Sequence, residues 1–344
     1  MPDVADQASP ARSTAEARRA MTSDLFLVVL LGIVWGSAFP VIRFGILAGA
    51  PPLFFAAVRY ALTALVLVPI ALVARTPRPS PSSVIFPAFF GGLFIIAGYG
   101  GLLYIGEVST SGGLAAILTA SAPLASALFG LGLLPVERLG RWGVGGLLIG
   151  FAGVAVLVLP QLRDPFSAGF TGPAFVVAAV LVFALGSVLL RRTSTSAPNL
   201  WTLAIQFAVA AAVLTPIATA IGEPVTLGHG SSVYPALAFL VIFPGVLGYT
   251  LYFRIHHRSG PTRANLVGYI NPVTGVLVGS LVFGELVTGL EVGGMILIAF
   301  GIFLLQRDPL RAPAVPSPPG STHSDPGSPG TAAGPPGELH AETK

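Results

Sequence analysis

The sequence predicts an all-α membrane protein of ten transmembrane helices, built as two inverted five-helix repeats. Three observations carry that prediction. Of 344 residues, 53% are hydrophobic and only 9% are charged, whereas a soluble domain carries about 25% charged residues. Apolar runs recur from Leu25 to Leu305 with short polar breaks, and each is long enough to cross a ~30 Å hydrocarbon layer as a helix of about 20 residues. Finally, arginines mark alternate breaks, and motifs of the first half return close to 150 residues later.

In chain order the expected spans are Leu25–Phe44, Phe54–Val73, Val84–Ile105, Gly113–Leu133, Trp142–Leu159, Gly172–Leu190, Leu200–Ile221, Tyr234–Phe253, Ala264–Gly284 and Glu291–Leu305. Before them, residues 1–23 form a polar tail expected to be disordered, and Asp24 is placed to cap the first helix. Arg18, Arg19 and the following apolar run imitate a secretory signal, but the run is too long for one and its small-residue and aromatic content recurs in the second half. The first repeat is expected over 24–160 and the second over 161–306. Residues 307–344, rich in Pro, Gly and Ser, bury too little apolar surface to offset their ordering entropy and are expected to be a disordered cytoplasmic tail.

The breaks fix the count. Arg12, Arg18, Arg19, Arg75, Arg78, Arg138, Arg141, Arg191, Arg192, Arg254, Arg258, Arg263, Arg307 and Arg311 all fall on one side if ten spans are drawn. Basic loops resist translocation, so that side is expected to be the cytoplasm, with both termini on it. The opposite loops hold Glu107, Asp164, Glu223, Glu285 and Glu291, with Arg163 as their arginine. One span more or fewer would scramble this alternation.

The repeat is legible too. Gly112-Gly113-Leu114-Ala115, Pro123 and Glu137 answer to Pro261-Thr262-Arg263-Ala264, Pro272 and Glu285, while Gly146 and Gly153 answer to Gly294 and Gly301, and Gly36-Ser37 to Gly186-Ser187. Five spans per copy force the second copy to enter the membrane from the other face, an arrangement suited to alternating access.

Composition also excludes classes. The chain has no cysteine, which removes disulfides and thiolate metal sites, and its net charge of +4 is dispersed rather than clustered, which argues against nucleic acid. No metal or other cofactor is expected. No His-Glu-x-x-His motif or paired acidic site falls within a span, so an intramembrane enzyme is disfavoured.

Several residues could shape a passage. Pro123 and Pro272 fall near span midpoints, where each frees a backbone carbonyl, and their paired placement suggests a hinge or cavity wall rather than a tolerated kink. Tyr269 and Asn271 are cavity candidates, with interhelical hydrogen bonding as the alternative for Asn271 and for Asn265 nearby. Trp35 and Ser37 lie in the middle of the first span, away from the interfaces that usually anchor Trp. Tyr104 and Tyr249 are cavity candidates, and Tyr252, Trp142 and Trp201 read as interfacial anchors. Arg43 and Arg59 lie toward the outer side in apolar surroundings, against the orientation rule. They could snorkel, pair with Glu107 or Glu285, or meet a carboxylate-bearing solute. Glu137 and Glu285, at span ends, are gate or helix-terminus candidates. No Asp, Glu, Lys or His lies near the middle of any expected span, which disfavours a proton-coupled pump for cationic drugs.

At Trp35-Gly36-Ser37-Ala38-Phe39, at Tyr104 with Leu114-Ala115-Ala116, at Ser121-Ala122-Pro123-Leu124, Glu137-Arg138-Leu139 and Pro272 with Gly284-Glu285, the chain resembles the EamA-type transporters of the drug/metabolite transporter superfamily over residues 25–306. The resemblance implies a ten-helix basket whose cavity is lined by spans one, three, four, six, eight and nine. It also implies a carrier of small solutes in the bacterial inner membrane, often an exporter of amino acids, related metabolites or toxic compounds. The partners expected are a small solute and the lipid bilayer, with a homodimer left open. A nucleotide-sugar or other phosphorylated-metabolite carrier of similar architecture is the nearest alternative.

Overall fold

The computed structural model describes residues 25–133, 139–158, 168–193, 199–228, 230–252, 254–255 and 267–308. Both tails, Glu137, Arg138 and the segment holding Arg258, Arg263 and Asn265 lie outside the described residues. The described residues hold ten apolar helices: α1 Leu25–Leu47, α2 Pro52–Val73, α3 Ala88–Gly106, α4 Gly112–Leu133, α5 Arg141–Val158, α6 Phe170–Leu190, α7 Leu200–Ala220, α8 Val233–Tyr252, α9 Val267–Phe283 and α10 Gly289–Gln306. Nine have at least 18 residues, about 27 Å at 1.5 Å per residue, and α9 has 17 described residues. Large side chains such as Val73, Leu281 and Leu286 are over 80% exposed, which water would penalise and lipid does not.

Contacts between helix ends establish that the helices traverse in alternation. The end where α1 starts and α10 stops is the near end, and the opposite one is the far end. At the far end Glu223, just after α7, accepts hydrogen bonds from Leu53 N (3.1 Å) and Phe54 N (2.8 Å) in the first turn of α2. There too Glu285, just after α9, accepts from Gly112 N (2.8 Å) and Gly113 N (2.9 Å) at the start of α4. At the near end Asp308, after α10, accepts from Gly143 N at the start of α5, and Trp201 Nε1 donates to Thr76 O (3.1 Å). Each acid places a negative charge on free N–H groups at a helix N-terminus, where the backbone dipole favours it.

The inverted repeat governs the packing. α2 packs on α7, α4 on α9 and α5 on α10, each helix against its own counterpart, and α3 on α6 corresponds to α1 on α8. In the α5–α10 pair the glycines matched by the repeat meet reciprocally. A Cβ on Gly146 would stand 2.6 Å from Gly301 O, and one on Gly153 would stand 2.9 Å from Gly294 O. Only glycine lets the two backbones approach this closely, the usual device for helix association in lipid.

Two features were not readable in the apolar runs. α3 and α8 each contain a π-helical stretch, Gly91–Gly98 and Val241–Leu247, starting 150 residues apart. A Gly-Tyr pair marks the end of each, Gly98-Tyr99 in the first and Gly248-Tyr249 in the second. The second feature is an asymmetry. α4 breaks at Ala120–Ser121 before Pro123, where Ser121 Oγ donates to Leu118 O (2.7 Å), whereas α9 runs unbroken through Pro272.

Candidate functional site

A continuous chain of aromatic and cationic contacts runs from the middle of α1 to the far end. Trp35 packs edge-on against Tyr249 (centroids 5.2 Å apart) and lies 5.5 Å from Tyr252, and its Nε1 donates to Pro244 O (3.1 Å) in the π stretch of α8. Gly248 makes room for the indole, since a Cβ there would stand 2.3 Å from Trp35 Nε1. Tyr249 meets Phe207 of α7 at 5.4 Å, and Phe207 meets Tyr60 of α2 at 5.6 Å. Beside Tyr60, Arg59 lies with its guanidinium 5.5 Å from that ring and donates to Tyr104 OH (2.9 Å). Tyr104 in turn meets Phe55 at 5.7 Å. Tyr99, packed on Phe183 of α6 at 5.4 Å, shares the electrostatic field of Tyr60, Tyr249, Arg59 and Glu107.

Arg59 is the chemical centre of this chain. Only 8% of it is exposed, its Nε has no acceptor, and no carboxylate lies within ion-pair distance of it among the described residues. A buried guanidinium is held here by the Tyr104 phenol oxygen and the Tyr60 ring, leaving its Nε donor open. Such a group is suited to a planar anion arriving from outside the protein, above all a carboxylate.

Beyond Arg59, toward the far end, lies an ionic knot. Arg43 donates to the backbone oxygen of Glu107, and its Nε is 4.0 Å from Glu285 Oε1. Gly284, at φ +69°, turns the chain after α9 so that Glu285 N bonds Gly279 O (2.9 Å) and its carboxylate swings back over α4. Glu107 immediately follows α3 and is completely buried, yet neither of its carboxylate oxygens accepts a hydrogen bond. Burial pushes this carboxyl well above the usual carboxylate range, nearby Glu285 adds to the rise, and Arg43 and Arg59 oppose it.

The residues singled out in the sequence divide accordingly. Trp35, Tyr249, Arg59 and Tyr104 come together along one path, and Arg43 and Glu285 meet at its far end. Ser37 instead turns its hydroxyl onto Val34 O of its own helix (3.0 Å). The Asn271 side chain faces two acceptors, so its amide is assigned with the nitrogen donating to Val267 O and Gly32 O (3.2 Å each), which ties α9 to α1. Tyr269 is a partly buried core residue, Pro272 is buried and Pro123 half-buried. Glu137 lies outside the described residues. Sequence reasoning missed Tyr60, Tyr99 and Phe207, and it took Glu107 for a loop acid that could pair with Arg43 or Arg59. The Gly-Tyr pairs at 98–99 and 248–249, at the repeat offset, were the available signal for Tyr99.

The path draws its residues from α1, α2, α3, α6, α7 and α8. An apolar groove of about 430 Å³ lies elsewhere, between α5 and α6, and its lining of Phe151, Val154, Phe170 and Leu181 suits lipid rather than a polar solute.

Comparison with known proteins agrees with this architecture. The protein named Uncharacterized inner membrane transporter YedA of Escherichia coli (strain K12) is 27% identical over 296 residues, covering 83% of this chain and 93% of its own. A Probable amino-acid metabolite efflux pump of Salmonella typhimurium is 26% identical over 300 residues, covering 82% of this chain and 94% of its own. A protein of known crystal structure, 22% identical, superposes with a TM-score of 0.54 over 83% of this chain and 97% of its own, a likeness of fold. The model of the EamA-like transporter family matches residues 22–159 and 170–307, one match per repeat. With ten apolar helices in two inverted copies, the chain belongs to the EamA-like transporter family and is a multi-pass membrane transporter.

Proposed function

We propose that this transporter is a secondary carrier that exports a small neutral or zwitterionic metabolite, an amino acid or a related compound, by alternating access of its two inverted halves. The observation that carries the reading is Arg59, a buried guanidinium with open donor capacity set among Tyr60, Tyr104 and, further along, Phe207 and Tyr249. A cation in an apolar wall of rings selects a solute with one carboxylate and a compact body that tolerates aromatic contact. The relative named as an amino-acid metabolite efflux pump supports the same class. A diphosphate carrier would need several converging cations, and Arg43 is already engaged with Glu107 O and Glu285. In this reading the protein sits in the bacterial inner membrane with both termini in the cytoplasm, the far end outside, and the repeats bounded near 24–160 and 161–306.

The test is flux in proteoliposomes against a panel of the proteinogenic L-amino acids. Arg59→Gln is expected to weaken the half-saturating concentration of the transported members at least tenfold, because a hydrogen bond between charged groups is worth about 1.5–3 kcal/mol. A variant that folds and transports with unchanged affinity would remove Arg59 from the site. A wild type that moves no member of the panel would overturn the solute class.

A further inference from the structure

Glu107 is a buried titratable group that the scaffold does not use. Glu223, Glu285 and Asp308 each receive a backbone N–H from another helix, and Thr288 and Glu291 cap α10 reciprocally. Glu107 shares none of this, although its own backbone oxygen is firmly held by Arg43. Its neighbour Thr110 is also buried with a hydroxyl lacking a partner, pressed so close to α6 that a Cβ on Gly172 would stand 2.1 Å from it. An ionised carboxylate in that position would be among the costliest groups in the molecule. The titratable and charged groups that face it are Arg43 from α1, Arg59 and Tyr60 from α2, Tyr99 and Tyr104 from α3, and Glu285 from the α9–α10 loop. Tyr104, which holds Arg59, lies three residues before Glu107 in the chain, so both project from the same side at the end of α3.

We infer that Glu107 is a proton-binding site of the transport cycle, linked to the solute because Glu107 and the solute's carboxylate compete for the positive charge of Arg59. When the site is empty and open to water, ionised Glu107 is stabilised by Arg59 and Arg43. When a solute carboxylate takes Arg59, the negative charge of Glu107 loses that partner, and its oxygen binds a proton from water. One carboxylate and one proton are therefore bound together and cross together, so export runs down the solute's own outward gradient and the inward proton gradient opposes it. Solute affinity consequently falls as pH rises through the range where Glu107 ionises in the empty site, with a limiting tenfold loss per pH unit. This linkage rests on the reading of Arg59 as the carboxylate anchor, while the proton site itself does not.

The experiment is infrared difference spectroscopy of the purified full-length protein in lipid, titrated from pH 5 to pH 9. It compares wild type, Glu107→Gln and Arg59→Gln, each with and without an equimolar mixture of the proteinogenic L-amino acids. A protonated-carboxyl band that titrates within this range and vanishes in Glu107→Gln is the expected result. The mixture is expected to raise its midpoint by about one pH unit in wild type, a tenfold linkage, and to leave it unmoved in Arg59→Gln. Absence of a Glu107 band at every pH overturns the proton site. A band that the mixture does not move, in a wild type that transports a member of it, overturns the linkage. If the wild type transports no member, the amino-acid reading fails with it, and the proton site stands or falls on the band alone.

Discussion

Glu285 and Glu107 lie at the same end of the bundle and touch the same arginine, yet they occupy opposite physical situations. Glu285 is partly exposed, with both carboxylate oxygens bonded to the first N–H groups of α4. Glu107 is fully buried with both oxygens unbonded. The first negative charge is held by the fold. The second is tolerated by it at a cost, and such a cost persists where it serves a task. The difference separates an acid that builds the protein from one available to move a proton, two roles that a loop glutamate in a sequence does not distinguish.

The largest effect expected from breaking this comparison is at Glu285. Glu285→Ala leaves two N–H groups of α4 without their charged acceptor and Arg43 without its nearest carboxylate, and should lower stability by about 2 kcal/mol after allowance for partial exposure. A clear fall of the unfolding midpoint in detergent checks it. Glu285→Gln, which retains an acceptor, should recover about half of the loss. Glu223→Ala comes next, near 1 kcal/mol, since no arginine among the described residues pairs with Glu223 and one of its two bonds is longer at 3.1 Å. If Glu223→Ala cost more than Glu285→Ala, the ranking by charge and bond length would be wrong.

Much of this molecule was legible in its sequence because lipid imposes a simple rule, that backbone polar groups be satisfied within helices. The expected start at Gly113 and the expected end at Leu190 fall within one residue of α4 and α6 as observed. The glycines matched by the repeat, Gly146 with Gly294 and Gly153 with Gly301, meet crosswise, Gly146 on Gly301 and Gly153 on Gly294, since α5 packs on its own inverted copy α10. What the pattern did not reveal depends on tertiary placement. A π-helical stretch has the same apolar composition as an α-helix, so Gly91–Gly98 and Val241–Leu247 carry no periodic signature. Glu107 looked like a loop residue because it immediately follows a span, and only the packing of α1, α2 and the α9–α10 loop around it makes it a core residue. At the site, Arg59 and Trp35 stood out by being unusual for their depth. Tyr60, Tyr99 and Phe207 did not, because aromatic residues in apolar spans are common.

The smallest effect, and the sharpest discriminator, belongs to Glu107→Gln. At pH 5 and below the native carboxyl is expected to be protonated, so a neutral amide of similar shape should change stability by less than about 0.5 kcal/mol. The sign at higher pH follows from the raised value of the buried group. Above the ordinary carboxylate range the unfolded chain releases this proton while the folded protein keeps it, so the folded state gains nothing from the rise in pH and the unfolded state does. Stability of the wild type should fall by up to about 1.4 kcal/mol per pH unit until the folded group also ionises, and then level off. Glu107→Gln should lack this component and become the more stable protein at pH 8, whereas Glu285→Ala should retain the slope and remain less stable throughout. Unfolding midpoints measured from pH 5 to pH 9 separate the two acids. A wild type and a Glu107→Gln variant with parallel pH profiles would place Glu107 with Glu285, as one more acid of the scaffold.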